Sequence, residues 1–377
     1  MVIIYKILER AMGNRGSKSE IQHPQPNKIS VKEQRADGNW YIKSDLIYLR
    51  CALMDFERNY LIKFPSKQLI KKNYSTLKNF LPKLNPWFIT GFTDAEGSFT
   101  IPIDKVINRK LGWRVQAKFQ IGLKFSDLSL LLQLKEFFGG IGSIELSGNI
   151  AFYSVFSLKD LINVIIPHFD KYKLLTKKGA DFLLFKQIVE LMKNKKHFSF
   201  EGLQEIINLK ASMNWGLSEN LTSEFTNIVP IERPIINPEN IYNPNWISGF
   251  VNGEGTFDVK IYKSKTKTGY AVQLRFRIPQ HERDLKLIQL LKFYFNEGII
   301  EKHTNFPALT LVIVKFSSIT ENIIPFFKLY PLVGVKQLDF QDFCKIGKLM
   351  SEGKHLTKEG LELIYSIKSG MNKSRKL

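Results

Sequence analysis

The sequence predicts an α+β protein made of two tandem copies of one domain. Three observations predict it: a 15-residue segment that occurs twice, matched residues far downstream of each copy, and two stretches of alternating apolar and polar residues. Residues 85–99 return as residues 243–257 at a shift of 158, and Met213-Asn214 returns as Met371-Asn372. Such a repeat indicates a duplicated domain and sets the architecture before any element is assigned.

The composition predicts a folded protein with a polyanionic partner. A chain of 377 residues with 44% hydrophobic residues and 29 Phe can bury two or three cores. The net charge of +20 favours nucleic acid over a membrane surface, although codon bias in an AT-rich gene is an alternative source of excess lysine. Two cysteines and six scattered histidines exclude a zinc finger or a disulfide framework. No apolar run reaches transmembrane length, so no membrane partner is expected.

Each copy of the repeated segment is predicted to begin with a helix. Proline is favourable in the first turn, and Phe88, Phe92 and Ala95 recur at the spacing of one buried helical face. Small residues four apart let two helices approach closely, so the two motif helices should pack on each other about a pseudo-twofold axis. These small residues are Gly91 and Ala95 in the first copy, and Gly249 and Gly253 in the second.

Glu96 and Glu254 are predicted to be the last helical residues, each followed by a glycine suited to a left-handed cap. A carboxylate at a helix C-terminus faces the negative end of the helix dipole. Two such ends side by side are unfavourable unless a divalent cation lies between them, since hard cations take carboxylate and carbonyl oxygens. The alternative is that both glutamates are merely solvated helix-end residues.

The two segments, with their matched downstream residues, resemble the LAGLIDADG motif of homing endonucleases in the single-chain form with two repeats. Within that family the chain is similar to fungal mitochondrial intron-encoded enzymes. The resemblance implies an αββαββα fold in each repeat, with saddle-shaped antiparallel sheets on DNA and the motif helices at the interface. It also implies that Glu96 and Glu254 bind Mg²⁺ and cut the two DNA strands across the minor groove, leaving staggered ends. By position, the backbone carbonyls of Ala95 and Gly253 would join the metal site.

The predicted domains are an N-terminal extension, 1–84, a first repeat, 85–216, a linker, 217–242, and a second repeat, 243–377. The extension contains polar, basic stretches that read as partly flexible, and it receives no catalytic role. A covalent linker lets the halves diverge, so a monomer can read a long asymmetric site in double-stranded DNA.

Residues 113–121 and 270–278 alternate between apolar and polar side chains, which predicts half-buried strands. Their polar faces carry only Arg, Lys and Gln (Ala271 apart), the side chains that read bases in the major groove. The strand before each should share this surface, and lysines between the second pair should contact phosphates. A solvated sheet face is the alternative. The predicted DNA-binding residues are Thr100, Asp104, Arg114, Gln116, Lys118, Asp258, Lys260, Tyr262, Lys263, Lys265, Lys267, Gln273, Arg275 and Arg277.

The two halves are not predicted to be equivalent. Family members usually carry a basic residue on a later strand near the active centre; Lys315 fits that position, and its counterpart is Ser157. Gln120 is a candidate for positioning water, while the second copy has Arg277 there. One strand should therefore be cut more slowly than the other.

The main hypothesis is a metal-dependent, site-specific DNA endonuclease that promotes intron mobility in a mitochondrion. The alternative is an RNA maturase that assists splicing of a group I intron, because a basic surface serves either role. A catalytically dead DNA-binding module is disfavoured, since both motif glutamates are kept.

Overall fold

The computed structural model describes residues 83–375. The predicted extension therefore lies, up to residue 82, outside the described residues. All described residues belong to one compact unit. None of the helices within residues 83–375 is both long enough and apolar enough to cross a bilayer.

The first repeat begins with the motif helix and contains six helices and six strands among the described residues. Its helices are α1 Pro86–Glu96, α2 Leu128–Phe137, α3 Leu158–Asp160, α4 Ile166–Lys171, α5 Lys178–Lys193 and α6 Phe200–Ala211. Its strands are β1 Gly97–Thr100, β2 Ile103–Lys105, β3 Trp113–Val115, β4 Lys118–Lys124, β5 Ser143–Ser147 and β6 Ile150–Val155. A wider π-helical turn, Leu161–Ile165, joins α3 to α4.

One short helix, α7 Glu219–Glu224, lies in the predicted linker. The second repeat then follows the order of the first, with longer first strands. Its helices are α8 Pro244–Glu254, α9 Leu285–Phe295, α10 Phe316–Ser318, α11 Ile324–Leu329, α12 Val335–Ser351 and α13 Lys358–Ser369. Its strands are β7 Thr256–Lys263, β8 Tyr270–His281, β9 Ile299–Lys302 and β10 Ala308–Ile313, and a π-helical turn, Ile319–Ile323, again interrupts the later helix.

Each repeat builds one four-stranded antiparallel sheet with the same topology. The strand orders are β1-β4-β6-β5 and β7-β8-β10-β9, while β2 and β3 form a separate pair. One face of each sheet is covered by its own helices, so each repeat has its own hydrophobic core. Phe99 and Phe257, at matching places in β1 and β7, are fully buried in these two cores. The predicted α+β fold with two repeats is confirmed.

The motif helices begin where the sequence predicts. Asn85 and Asn243 cap them: the side-chain oxygen of each accepts a hydrogen bond, at 2.9 Å, from the backbone N–H two residues later. Each helix ends at its glutamate, but the predicted left-handed cap is wrong. Gly97 has φ −76° and Gly255 has φ −67°, because the chain passes directly into the first strand.

The glycines after the glutamates are required for space rather than for a left-handed backbone. A Cβ on Gly97 would lie 2.5 Å from Thr93 Cγ2, and one on Gly255 would lie 2.4 Å from Val251 Cγ1. A side chain at either place would push the strand away from the end of its helix.

The predicted close packing of α1 on α8 is confirmed. A Cβ on Gly91 would lie 2.0 Å from the carbonyl oxygen of Trp246, and one on Gly249 would lie 2.0 Å from that of Phe88. The two backbones thus touch at symmetric points. Interface glycines cost the isolated helices about 1 kcal/mol each, and this contact is what requires them.

The strand predicted over residues 113–121 is interrupted in the structure. It is divided into β3 and β4, with Gln116 and Ala117 between them, whereas β8 runs unbroken for 12 residues. The alternation itself is confirmed, since Ala117, Phe119 and Ile121 are buried while Arg114 is exposed. The interruption separates the outer hairpin, β2–β3, from the four-stranded sheet of the first repeat.

Candidate active centre

Glu96 and Glu254 lie together at the ends of the packed motif helices. A Cβ on Gly253 would be 3.2 Å from Glu96 Oε1, so the Glu96 side chain lies against the helix of the other repeat. Burial raises the pKa of Glu96, and burial together with the charge of Glu96 raises the pKa of Glu254 to about 7. The two carboxylates therefore repel each other at this partly desolvated site.

Two half-buried lysines, Lys178 and Lys336, balance this negative charge. Lys178 Nζ donates hydrogen bonds to the carbonyl oxygens of Thr93, at 2.9 Å, and Ala95, at 3.3 Å, at the end of α1. Lys336 Nζ donates to the carbonyl oxygen of Gly255, just after α8. Burial lowers the pKa of both lysines, and the charges of both glutamates oppose that effect. The centre thus contains two glutamates and two lysines at matching positions of the two repeats.

The loop that leads to each lysine is held by the motif helix of the same repeat. Asp94 accepts hydrogen bonds from Leu175 N at 2.8 Å, from Thr176 N at 3.1 Å and from Thr176 Oγ1 at 2.6 Å. Its repeat counterpart, Asn252, accepts one from Val333 N at 2.8 Å. Burial raises the pKa of Asp94 to about 6. The hydrogen-bond donors act in the opposite direction, because they stabilise the ionised carboxylate.

The helices that carry the two lysines are capped by acids of the opposite repeat. Asp284 Oδ1 accepts a hydrogen bond from Lys177 N at 2.7 Å, directly before α5. Asp127 Oδ1 accepts one from Val335 N at 2.9 Å, the first residue of α12. Gly334 makes the second contact feasible: its φ is +67°, and a Cβ there would lie 2.5 Å from Asp127 Oδ1. We call Asp127 and Asp284 the exchanged caps.

The donor groups around the two glutamates suit a hard divalent cation. Within residues 83–375 no three or more His, Cys, Asp or Glu side chains form a group that could hold a metal ion. A metal would therefore depend on Glu96 and Glu254 with backbone carbonyls such as those of Ala95 and Gly253. Two adjacent, half-buried carboxylates fit Mg²⁺ or Ca²⁺, which bind oxygen ligands.

The sheet surface of the second repeat carries a cluster of one acid and two arginines. Arg275 Nε and Nη2 donate to Asp258 at 2.8 and 3.2 Å, and Arg277 forms an ion pair with the same carboxylate. The side chains of Arg275 and Arg277 are 29% and 37% exposed, against 14% for Asp258. Asp258 thus orients both arginines and is itself largely covered.

The remaining predicted DNA residues of the second repeat follow the first two strands outward. Lys260 is exposed and lies 5.4 Å from the ring centroid of Tyr262. Gln273 lies opposite Lys260 in the strand register. The exposed lysines at the hairpin end are Lys263, Lys265 and Lys267.

The first repeat presents a less regular polar surface. Arg114 Nη2 donates to Asp104 at 2.7 Å on the outer hairpin. Lys118 is half-buried near the ring of Phe156, and this desolvation lowers the pKa of Lys118. Thr100 Oγ1 donates to the carbonyl of Lys118 at 3.5 Å, and Gln116 is partly exposed between the two strand segments.

Gln120 and Lys315 lie in different surroundings in the fold. Gln120 is opposite Ser98 in the register, two residues after Glu96, and its Nε2 donates to Ser154 Oγ at 3.1 Å. Lys315 precedes α10 with its side chain 67% exposed, and its Nζ is 3.9 Å from Glu297. No described contact joins Lys315 to Glu254, so its catalytic role stays a prediction.

The sequence analysis did not identify Lys178, Lys336 or the exchanged caps. The two lysines were detectable, since they match each other at the same 158-residue shift as the motif glutamates. Asp181 and Asp339 match at that shift too, and each accepts a hydrogen bond from the backbone of a matched asparagine. A search for identical charged residues at equivalent repeat positions would have found them.

Comparison with known proteins places this geometry in a family. The model of the LAGLIDADG endonuclease family matches residues 89–189 and 247–347. Probable intron-encoded endonuclease 3 of Neurospora crassa is 48% identical over 376 residues, covering 95% of this chain and 70% of that protein. Probable intron-encoded endonuclease 2 of the same fungus is 40% identical, covering 76% of this chain and 65% of that protein. The chain thus spans about two thirds of the length of these relatives.

A solved structure agrees. The I-SmaMI LAGLIDADG homing endonuclease bound to cleaved DNA superposes with a TM-score of 0.77 at 46% identity, covering 78% of this chain and 99% of that one. Two matched repeats, a shared fold and two glutamates at the ends of packed motif helices lead to one conclusion. The chain belongs to the LAGLIDADG endonuclease family.

Proposed function

We propose that this chain is a monomeric, Mg²⁺-dependent endonuclease that cuts both strands of a long asymmetric DNA site and leaves staggered ends. The observation that carries the proposal is the pair of half-buried glutamates side by side at the ends of the packed motif helices. Desolvation, with the charge of Glu96, raises the pKa of Glu254 to about 7. Stability alone does not favour two like charges at one helix interface. A site that holds them for chemistry accounts for their presence.

The residues of the chain divide the work between them. Glu96 and Glu254 would hold the metal, which when bound supplies Lewis-acid stabilisation of the phosphate oxygens. Lys178 and Lys336 keep positive charge beside the acids, where a phosphodiester gains negative charge as it is attacked. Gln120 and Lys315 keep their proposed roles in positioning water and stabilising phosphate.

Sequence reading is proposed for the two sheet surfaces. The arginines held by Asp258 present planar groups suited to guanine edges, while Lys263, Lys265 and Lys267 suit phosphates. A related solved structure, I-SmaMI bound to an uncleaved DNA target in the presence of calcium ions, supports DNA as the partner and a divalent cation as the cofactor. The names of the Neurospora relatives support intron mobility as the biological role, and we propose a fungal mitochondrion as the compartment.

The test is incubation of purified full-length protein with an intronless copy of the host gene, with Mg²⁺ and with EDTA. We expect one staggered double-strand cut at the insertion point of the intron in Mg²⁺ and none in EDTA. Selective binding and splicing of the intron RNA without any DNA cleavage would instead identify a maturase. Cutting that persists in EDTA would contradict the metal dependence.

A further inference from the structure

The linker between the repeats folds onto the first repeat, although its sequence is typical of a simple connection. Its helix α7 and the following residue, Phe225, pack against α6. Leu221 is 2% exposed and Phe225 is 6% exposed, so both are core residues. They belong to a third hydrophobic cluster that is separate from the cores of the two repeats.

This third cluster covers one face of the outer hairpin, β2–β3. The ring centroids of Trp113 and Phe225 are 5.3 Å apart, and Ile103, Leu111 and Val115 pack against the same cluster. Lys105 Nζ also lies 2.7 Å from Glu224, but both side chains are largely exposed, so this ion pair contributes at most about 1 kcal/mol. The apolar contact is what joins the linker to the hairpin.

The outer hairpin needs such support. Its strands have three residues each, with Ile103 opposite Val115 and Lys105 opposite Trp113. The hairpin continues the register of β1 and β4, but between them the backbone hydrogen bond from Gln116 N–H to the Pro102 carbonyl, at 3.0 Å, is the link. A two-stranded hairpin without further packing is marginally stable in water. The second repeat needs no equivalent, because β7 and β8 pair over eight positions within the four-stranded sheet.

The opposite face of the same hairpin carries the predicted DNA contacts. Asp104 and Arg114 are direct partners in the register, so their side chains share the face that the linker leaves free. Both side chains are about half exposed, and they are joined by a 2.7 Å ion pair. Any shift of the hairpin on its apolar cluster would therefore move Arg114 relative to DNA.

We infer that α7 and Phe225 are positioning elements for sequence recognition. They fix the outer hairpin of the first repeat and so set base preference at the outer positions of one half-site. This inference rests on the proposed function, because it presupposes that the hairpin reads DNA. The linker is then part of the specificity apparatus and not only a covalent tether.

The experiment compares base preferences across a randomised site library, measured by binding in Ca²⁺. Arg114→Ala first marks the positions that the outer hairpin reads. Phe225→Ala should reduce preference at those same positions by roughly five-fold or more and leave the other half-site unchanged. Phe225→Leu, which keeps apolar bulk, should restore most of the preference. Glu219→Gln is the control in the same helix: Glu219 is exposed in the first turn of α7, so this variant should leave the preferences unchanged.

A second measurement separates support of the hairpin from reading of DNA. Amide hydrogen exchange of residues 103–115 should accelerate at least ten-fold in Phe225→Ala, since a supported hairpin opens less often. Faster amide exchange with unchanged base preferences would overturn the inference. An equal loss of base preference at both half-sites, or unchanged exchange of the hairpin amides, would also overturn it. If Phe225→Ala does not fold, Leu221→Ala replaces it in both measurements. A wild-type protein that binds all sequences alike would overturn the proposed function instead, whatever the exchange result.

Discussion

The two repeats share one topology but differ in two places, the outer DNA arm and the motif helix. In the first repeat the arm is a short separate hairpin supported by the linker, while in the second it continues the main sheet. In the motif helix, Asp94 of the first repeat corresponds to Asn252 of the second. Near the acids, by contrast, the glutamates, the lysines and the exchanged caps are all matched.

The distribution of these differences separates two requirements. Under the proposed function, chemistry on two strands of a duplex needs the same acids and lysines twice, which accounts for the symmetry of these groups. An asymmetric DNA site would need two different reading surfaces, which accounts for the difference between the arms. Asp94 and Trp246, which both differ from their counterparts, contact each other: Trp246 Nε1 donates to Asp94 Oδ2 at 2.9 Å, whereas the side chain of Phe88, the counterpart of Trp246, has no N–H to offer Asn252.

The largest effect is expected when either motif glutamate is neutralised. Glu96→Gln and Glu254→Gln each remove one charge and keep the shape of the side chain, so cleavage should fall by about 10³-fold or more with DNA affinity largely kept. Single-turnover cleavage of plasmid and a binding titration in Ca²⁺ would measure both. A variant that cuts as fast as wild type would show that its half does not use the acid.

The two lysines provide the next test of symmetry. Lys178→Met and Lys336→Met should each slow cleavage by about 10²-fold, because each removes positive charge beside the motif glutamates. The two lysines are matched between the repeats, so they do not account for a difference between the strands in the wild-type protein. Lys315→Ser tests the role predicted from sequence: if the asymmetry of Lys315 and Ser157 governs strand order, this variant should change the amount of nicked circle on supercoiled plasmid. An unchanged amount of nicked circle would contradict that role for Lys315.

The divergence of the arms predicts that base readers and phosphate anchors behave differently. Arg275→Ala should reduce preference at one or two base pairs of one half-site by about 1–3 kcal/mol each. Lys265→Ala should weaken binding to all sequences alike and lower the salt dependence by about one unit. A randomised library with binding measured at two salt concentrations distinguishes them. If Arg275→Ala lowers the affinity for all sequences equally, base reading by this strand face is contradicted.

The charge of the centre makes stability depend on pH when no metal is present. Because the pKa of Glu254 is raised to about 7, the folded protein keeps a proton that the unfolded chain releases above its ordinary value of 4.5. The free energy of unfolding should therefore fall as pH rises from about 4.5 to about 7. Glu254→Gln should remove much of that slope and stabilise the metal-free protein at pH 8 by on the order of 2 kcal/mol. Urea unfolding in EDTA at pH 5.5 and 8 tests this, and an unchanged slope would contradict it.

The smallest expected effect concerns the paired divergence of Asp94 and Trp246. Trp246→Phe should destabilise the protein by about 1–2 kcal/mol, since it leaves a buried carboxylate short of one donor. In an Asp94→Asn background the same change should cost about 1 kcal/mol less. Thermal unfolding of the four proteins in the double-mutant cycle gives this coupling energy. If the two changes in unfolding free energy are additive, Asp94 and Trp246 are not energetically coupled.

The sequence was sufficient for the repeats, the motif helices, their packing and the two acids, because each depends on local periodicity or on residue size. It failed at Gly97 and Gly255, where a strand starts at once and leaves no room for a left-handed residue. It also failed to divide residues 113–121, since the alternation continues across the break. The placement of Lys178 and Lys336 beside the motif glutamates is a tertiary effect that no local pattern encodes, and lysine is ordinarily an exposed residue.

The exchanged caps limit how freely the halves of such a protein can be recombined. Asp284 of the second repeat caps the helix that carries Lys178, and Asp127 of the first caps the helix that carries Lys336. A repeat grafted onto a foreign half would keep its own glutamate and lysine but would depend on the new partner for a helix cap. Chimeric enzymes built from this chain should therefore be chosen by the acid that each half offers its neighbour, before any matching of DNA-reading strands.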